Sequence, residues 1–170
     1  RERTGKGQLI DMAQAEALMR TMLNWTYTSV TGKDMQRTGN NDPSMAPSGI
    51  FKTKDERFVG IAIAADKQML ALLKAMGRND LMEDSKFKDT FERLQASNAE
   101  VLDKAVEKWA RDKTLDEILT LAKQYGFPAA DVKNDLELTN DPWRRERGSV
   151  VEFDDEMYGK GTWPVVPVVL

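Results

Sequence analysis

The sequence contains neither cysteine nor histidine. The lack of cysteine excludes disulfides, thiolate nucleophiles and metal sites built on thiolates. The lack of histidine removes the commonest general base and the commonest metal ligand of proteins. Because a chain without cysteine suits a reducing compartment, we expect a cytoplasmic protein.

Long apolar runs and a strong charge of either sign are also missing. No segment approaches the roughly 20 apolar residues that a transmembrane helix requires, so no membrane partner is predicted. The formal net charge of −3 gives no electrostatic reason to expect nucleic acid as a partner. Hydrophobic residues make up 41% and charged residues 31% of the 170 residues, which is typical of a globular domain with its own core.

The common catalytic motifs are absent as well. The sequence has no GxSxG, no HExxH, no Walker A loop and no dinucleotide fingerprint. Three consecutive carboxylates, Asp154, Asp155 and Glu156, could offer oxygens to a cation, but they lack the alternating spacing of a calcium loop. We therefore interpret this run as a solvated turn before Gly159 and predict no metal site.

Hydrophobic periodicity predicts a mixed α/β chain. One long helix ending at Gly32 carries an apolar stripe at three- and four-residue steps. The stripe consists of Met12, Ala15, Met19, Met22, Leu23 and Val30. Strands are predicted over Ile50–Thr53, Arg57–Ala64, Phe127–Val132, Val150–Phe153 and Trp163–Leu170. In Arg57–Ala64, Val59, Ile61 and Ile63 point one way, and the small residues on the other face suit a packed helix.

Capping signals place the remaining helices. Asp66 is predicted to cap a helix that ends at Gly77, and Ser97 with Glu100 forms a capping-box pattern. Thr114 with Glu117 repeats that pattern before a helix ending at Gly126. A single helical turn is predicted over Leu136–Asn140.

A polar loop, "RTGNNDPSMAPSGIF" over Arg37–Phe51, runs directly into the first strand. Its glycine permits positive φ, and its amides and backbone N–H groups can face an oxyanion or a carboxylate. Its Met and Ala could cover an apolar acyl chain. The candidate substrate-binding residues are Gly39, Asn40, Asn41, Ser44, Met45 and Ala46. The alternative is an ordinary connecting loop.

Several stretches in order resemble family III coenzyme A transferases, the group of formyl-CoA transferase, carnitine-CoA transferase and α-methylacyl-CoA racemase. They are "RTGKGQLIDMAQAEAL" (3–18), "TGNNDPSMAPSGIFKTKDERFVGIAI" (38–63), residues 72–142, and "RGSVVEFDDEMYGKGTWPVVPV" (147–168). The resemblance implies the small-domain portion of that fold, with an α+β-like small domain over 39–145. Residues 1–38 would be a linker with its long helix, and residues 146–170 a strand returning to a large domain. The missing start Met and the apolar end "WPVVPVVL" support a piece of a longer polypeptide.

The resemblance also implies an activity. The family moves coenzyme A from an acyl-CoA thioester to a carboxylic acid, through anhydride intermediates on an Asp carboxylate. That Asp would lie upstream of Arg1, so no catalytic residue is predicted in this chain, and the piece alone should be inactive. Acyl-CoA enters as substrate, no cofactor is bound covalently, and the full-length protein would be an interlocked homodimer.

The loop aligns with a glycine-rich loop that closes over the catalytic carboxylate in formyl-CoA transferase-like members. Closure would shield a reactive anhydride from water. Here the run "NNDPSMAP" replaces glycines, and its two prolines predict a stiffer loop. Two alternatives stay open: a racemase, although Ala64, Ala65 and Asp66 stand where the racemase Glu would follow the strand, and a non-catalytic interaction module.

Overall fold

A computed structural model of the chain describes residues 3–165 and divides into two compact units, with the boundary between Gly39 and Asn40. The predicted mixed α/β class is confirmed, because helices alternate with small antiparallel sheets. The domain limits 39–145 and 146–170 stay a prediction.

The helices are α1 (Gln14–Met19), α2 (Leu23–Thr31), α3 (Asp66–Met76), α4 (Asn79–Glu83), α5 (Thr90–Arg93), α6 (Ala96–Arg111), α7 (Leu115–Tyr125), α8 (Asp135–Thr139) and α9 (Pro142–Glu146), with a 3₁₀ turn at Ser85–Phe87. The strands are β1 (Ser48–Lys52), β2 (Phe58–Ala62), β3 (Ala129–Asp131), β4 (Val150–Asp155) and β5 (Gly159–Pro164).

The first unit contains two short helices where the sequence predicted one long helix. The break lies at Thr21, whose backbone N–H donates to the Leu18 carbonyl at 3.0 Å and whose hydroxyl donates to the same oxygen at 2.8 Å. A hydroxyl that bonds back in this way competes with the helical ladder. The predicted end at Gly32 is confirmed, since this residue adopts a left-handed φ of 67°.

The second unit is built on a three-stranded antiparallel sheet in the order β1-β2-β3. The two strands predicted over 50–53 and 57–64 are confirmed and pair as a hairpin, with Val59 opposite Phe51 and Ile61 opposite Gly49. The third strand is also confirmed and pairs Val59 with Asp131. Strand alternation sends the side chains of Val59 and Ile61 to the same face of the sheet, where both are buried.

Helices α3, α6 and α7 supply the rest of the core on that inner face. Helix α6 packs against β1, and α7 packs against both α3 and β3. An edge-on contact between Trp109 and Phe127, with ring centroids 6.4 Å apart, closes one side. The most deeply buried apolar side chains are Val59, Ile61, Ile63, Met69, Leu72, Leu73, Leu102, Val106 and Ile118.

The outer face of this sheet is not covered as the sequence predicted. Phe58 and Ile50 are exposed there, Ala64 is exposed, and Gly60 and Ala62 are only partly buried. The small side chains on this face therefore do not seat a helix of the described chain. They leave an open apolar surface beside the polar loop.

Two predicted helix starts were wrong. Helix α3 begins after Ala65, and the Gln68 side chain accepts hydrogen bonds from the Ala64 and Ala65 N–H groups at 3.2 and 3.1 Å. Asp66 is the first residue of the helix and not its cap, and its carboxylate accepts hydrogen bonds from Arg93 and Thr90 instead. Helix α6 begins two residues earlier than the Ser97 pattern predicted, with Gln95 at its N-cap and Glu100 paired to Lys104.

The other capping signals hold. The Thr114–Glu117 capping box is confirmed by reciprocal bonds of 3.3 and 2.7 Å, and Gly126 ends α7 in the left-handed region. The turn predicted at 136–140 is confirmed as α8. Helix α9 was not predicted, and it starts with Pro142 at its first position behind the Asp141 cap.

The last described element is the β4–β5 hairpin. Val151 faces Trp163 and Phe153 faces Gly161 across it, and Phe153 meets Trp163 edge-on at 5.8 Å. The strand predicted over Val150–Phe153 is confirmed. Of the strand predicted over Trp163–Leu170, the first two residues belong to β5, and residues 166–170 lie outside the described residues.

Candidate functional site

The polar loop ahead of β1 carries all the predicted site residues. Gly39 adopts a left-handed φ of 64°, as its position in the loop predicted. Asn40, Asn41 and Ser44 are exposed to solvent. The loop is nonetheless held tightly, because its side chains bond to the strand and the helix beside it.

Two adjacent amides attach the loop to the second unit. Asn40 Nδ2 donates to the Ile50 carbonyl at 3.0 Å, and Asn41 Nδ2 donates to a carboxylate oxygen of Asp103 on α6. Within residues 3–165, the backbone N–H groups of Asn40 and Asn41 have no hydrogen-bond partner. These two N–H groups are thus available donors in a loop whose side chains are fixed.

A compact turn follows, built by Asp42, Ser44 and Ser48. The Asp42 carboxylate accepts from the Ser44 N–H at 2.8 Å and from its hydroxyl at 2.6 Å. These bonds from Ser44 lower the pKa of Asp42 below its ordinary value. Asp42 N–H in turn donates to Ser48 Oγ at 2.8 Å. Ser44 therefore shapes the loop instead of offering its hydroxyl outward.

The two apolar loop residues have different surroundings. Ala46 is only 3% exposed and belongs to the core, so its side chain is not available to cover an acyl chain. Met45 is half-buried. The role that the sequence suggested for Ala46 is corrected: it anchors the loop because the following Pro47 and Ser48 are buried with it.

Apolar surface is instead provided by a depression of about 530 Å³ beside the loop. Its floor is the outer sheet face, including Ile50, Gly60, Ala62 and Ala130, and its rim carries Asn40 and Asp42. Polar donors at the edge of an open apolar floor suit a ligand that combines a carbonyl or carboxylate with a hydrocarbon chain.

Sequence reasoning missed two residues of this site. A Cβ at Gly49 would lie 3.0 Å from Asn40 Nδ2 and 3.3 Å from the Phe51 ring, so glycine avoids a tight contact with the Asn40 amide. Asp103 is 62 residues away from Asn41 in the sequence. It lies on α6, whose sequence has the pattern of an ordinary amphipathic helix. The strand-interior glycine was a usable signal, whereas Asp103 had none.

Asp66 is the carboxylate that follows β2, near the position where the racemase alternative expects a Glu. Its carboxylate accepts from Arg93 Nη1 at 2.7 Å and from the Thr90 hydroxyl at 3.0 Å. Hydrogen bonds from Arg93 and then Thr90 lower the pKa of Asp66. Arg93 is itself fully buried, so this pair joins α3 to α5.

The carboxylate run Asp154–Glu156 lies in the β4–β5 hairpin. Asp155 accepts hydrogen bonds from the N–H groups of Met157 and Tyr158, both at 2.9 Å. Asp side chains commonly bond to the following backbone N–H groups in turns. Across the described residues 3–165, no group of three or more acidic side chains is arranged to hold a metal ion. In the same range, no helix is both long and apolar enough to cross a membrane.

Comparison with known proteins decides the family. The family model described as CoA-transferase family III matches residues 1–170. The chain belongs to CoA-transferase family III. The resemblance proposed from the sequence is therefore confirmed over its whole length.

Curated relatives of this family III chain include a succinyl-CoA–D-citramalate CoA-transferase from Chloroflexus aurantiacus, 32% identical over 94% of the chain and 40% of the relative. A succinyl-CoA:mesaconate CoA-transferase from Haloarcula marismortui is 32% identical over 91% of the chain and 38% of the relative. The chain thus spans about 40% of the length of these relatives.

The solved structures agree with the family fold. A CaiB/BaiF family protein from Brucella suis matches with a TM-score of 0.69 and 26% identity, covering 99% of this chain and 43% of that one. The family III chain therefore has the fold of one part of a CaiB/BaiF protein.

Proposed function

We propose that this chain is the loop-bearing part of a CoA-transferase that moves coenzyme A from an acyl-CoA thioester to a carboxylic acid. The observation that carries the proposal is the family match over all 170 residues. The named relatives support it, since each is called a transferase of CoA from succinyl-CoA to a dicarboxylic acid. Substrate would be acyl-CoA, with no covalently bound cofactor.

The proposed role of the loop is to cover the reacting thioester. The free N–H groups of Asn40 and Asn41 would stabilise the oxyanion that forms when a nucleophile attacks the thioester carbonyl. The apolar depression beside them would accept the hydrocarbon part of the acyl-CoA. Exclusion of water matters because an acyl anhydride hydrolyses readily.

The nucleophile is proposed to be an Asp outside these 170 residues. Its carboxylate attacks the thioester carbon, the C–S bond breaks, and the CoA thiolate leaves an acyl anhydride on the enzyme. The carboxylates of the loop region are occupied: Asp42 is held by Ser44, and Asp103 by Asn41 and Ser48. These bonds support a nucleophile that lies outside the chain.

The experiment uses the full-length gene product that contains this chain. It is incubated with succinyl-CoA and separate dicarboxylic acids, and new CoA thioesters are measured by liquid chromatography and mass spectrometry. We expect a new thioester with at least one acid. Trapping the acyl-enzyme with hydroxylamine and mapping the modified peptide should then locate an Asp outside residues 1–170.

Two outcomes contradict the proposal. A modified carboxylate within residues 1–170 would reject the external nucleophile. No thioester with any acid, together with exchange of the α-proton of a 2-methylacyl-CoA in D₂O, would favour the racemase. The racemase lacks support here because Asp66, the carboxylate after β2, is bound to Arg93. Inactivity in both assays would favour an interaction module.

The assembly and compartment are also proposals. The lack of cysteine suits a cytoplasmic location. The resemblance implies an interlocked homodimer, which is tested by the solution mass of the full-length protein. A monomer mass at micromolar concentration would contradict it.

A further inference from the structure

Strand β1 lies at the edge of its sheet and needs partners on its open side. Among residues 3–165 it pairs with β2 alone. Two of its outward groups are bonded to side chains: the Ser48 N–H donates to Asp103 Oδ1 at 3.2 Å, and the Ile50 carbonyl accepts from Asn40 Nδ2 at 3.0 Å. Side chains thus occupy the positions that another strand would fill.

Asp103 connects this edge to the loop. One carboxylate oxygen accepts from the Ser48 N–H, and the other accepts from Asn41 Nδ2. The helix that carries it is firmly seated, since the neighbouring Leu102 and Val106 are each 1% exposed. Burial raises the pKa of Asp103, against the lowering effect of the Ser48 N–H, so the group sits in a partly desolvated place.

We propose that Asp103 is the positioning residue of the loop, binding Asn41 and Ser48 together so that the segment with the free N–H groups of Asn40 and Asn41 is held beside the apolar depression. Its effect on CoA transfer rests on the function proposed above. Its effect on the loop does not, because the contacts lie within this chain. Asp103 does not touch substrate in this proposal.

The geometry offers an exchange of side chains as a test. In Asp103→Asn, a single amide oxygen remains to accept, so one of the two bonds is lost. In Asn41→Asp, two carboxylates face each other and repel. In the double variant, Asn at 103 accepts from Ser48 N–H and donates to Asp at 41, so both contacts return with the net charge of the original chain.

The first measurement is amide hydrogen exchange over residues 40–49 of this chain. Both single variants should exchange about tenfold faster there, since hydrogen bonds to charged groups contribute enough for that factor. The double variant should regain most of the protection. Helix α7, Leu115–Tyr125, is the internal reference, and its exchange should not change if the variants fold.

A matched control lies one turn along the same helix. Glu107 pairs with Arg111 at 3.0 Å on the exposed side of α6. Glu107→Gln removes a carboxylate of that helix without touching the loop, so exchange over residues 40–49 should match the unchanged chain. Faster exchange in this control would mean that the loss of any carboxylate from α6 loosens the loop. It would overturn the assignment of that role to Asp103.

The second measurement is CoA transfer by the full-length protein. The single variants should lower kcat by about tenfold with a smaller change in KM, and the double variant should recover. A double variant that exchanges as fast as the worse single variant overturns the proposal. If the double variant regains its protection from hydrogen exchange but no variant changes the rate of CoA transfer, the role of Asp103 in the reaction is overturned. If the protein without substitutions does not transfer CoA, only the proposed function is rejected.

Discussion

The helices of residues 3–39 and those of residues 66–125 both carry stripes of apolar side chains, but only the second set is buried. In the first region none of residues 3–22 and 24–39 is buried, and Met12 and Leu18 are 71% and 64% exposed. In the second region Leu72 and Ile118 are both fully buried. An apolar stripe therefore identifies a helix and its contact face without identifying what covers that face.

Helix length accounts for part of the difference. Helices α1 and α2 have six and nine residues, whereas α3, α6 and α7 have 11, 16 and 11. Helices as short as the first pair are marginal in water without tertiary contacts. The longer helices pack on the inner face of the sheet, and most of their stability comes from that burial.

The largest expected effect comes from truncating one leucine in each region. Leu72→Ala should lower the free energy of unfolding by about 2–5 kcal/mol, because it removes buried methyl groups and leaves a cavity. Leu18→Ala should change it by less than about 0.5 kcal/mol, because that side chain is already exposed. Urea unfolding followed by circular dichroism measures both. Equal losses in the two variants would abolish the distinction between the regions.

A second pair of variants tests whether the polar loop belongs to the packed region. Gly49→Ala should cost about 1–3 kcal/mol, because the new Cβ would press on an Asn40 amide that is already bonded to Ile50. Gly60→Ala, in the neighbouring strand, should cost less than about 0.5 kcal/mol, because its Cβ would meet Val132 at an ordinary 3.7 Å.

The same urea method compares these glycine variants. If Gly60→Ala proved as costly as Gly49→Ala, the loss would reflect glycine in a strand in general. The close approach of the Asn40 amide to Gly49 would then have no special part in holding the loop.

The smallest effect is the acid dependence of the packed region. Hydrogen bonds from Arg93 and Thr90 lower the pKa of Asp66 below 3.8, so at acid pH the unfolded chain binds the proton first. Its contribution to stability is therefore present above about pH 4 and is lost as pH falls below that value. Asp66→Asn should be less stable at pH 7 and should show a shallower decline between pH 5 and pH 3.

Asp103 should act with the opposite sign. Because burial raises its pKa, the folded chain holds that proton more tightly, and stability declines as pH rises through the raised value. Asp103→Asn should remove this decline. Urea midpoints at several pH values between 3 and 7 measure how the stability of each variant depends on pH. Identical pH profiles in the Asp66→Asn and Asp103→Asn variants would refute the opposite directions of the two pKa shifts.

Local signals in the sequence predicted much of the fold. Glycines marked the ends of α2, α3 and α7, and alternation marked the buried face of β2, because these features depend on backbone conformation and on neighbours a few residues away. Predictions that required a choice between nearby groups were weaker. Asp66 was predicted to cap α3 because the sequence could not show that its carboxylate would bond to Arg93 and Thr90 of α5.

The candidate site was only half visible in the sequence. Asn40 and Asn41 were found because amides beside a glycine in a long polar loop suggest a ligand. Gly49 and Asp103 were missed, although Gly49 leaves room for the Asn40 amide and Asp103 binds the Asn41 amide. The assignment of Ala46 was corrected for the same reason, since burial depends on the whole chain.

The sequence by itself determined the family, the mixed α/β class, the principal strands and most helix ends, because these depend on composition and short-range order. Only the tertiary structure decided which apolar faces are buried, that the buried Arg93 pairs with the exposed Asp66, and that Asp103 meets the loop. Contacts between residues distant in the chain form only when packing brings them together, so a local sequence pattern does not predict them.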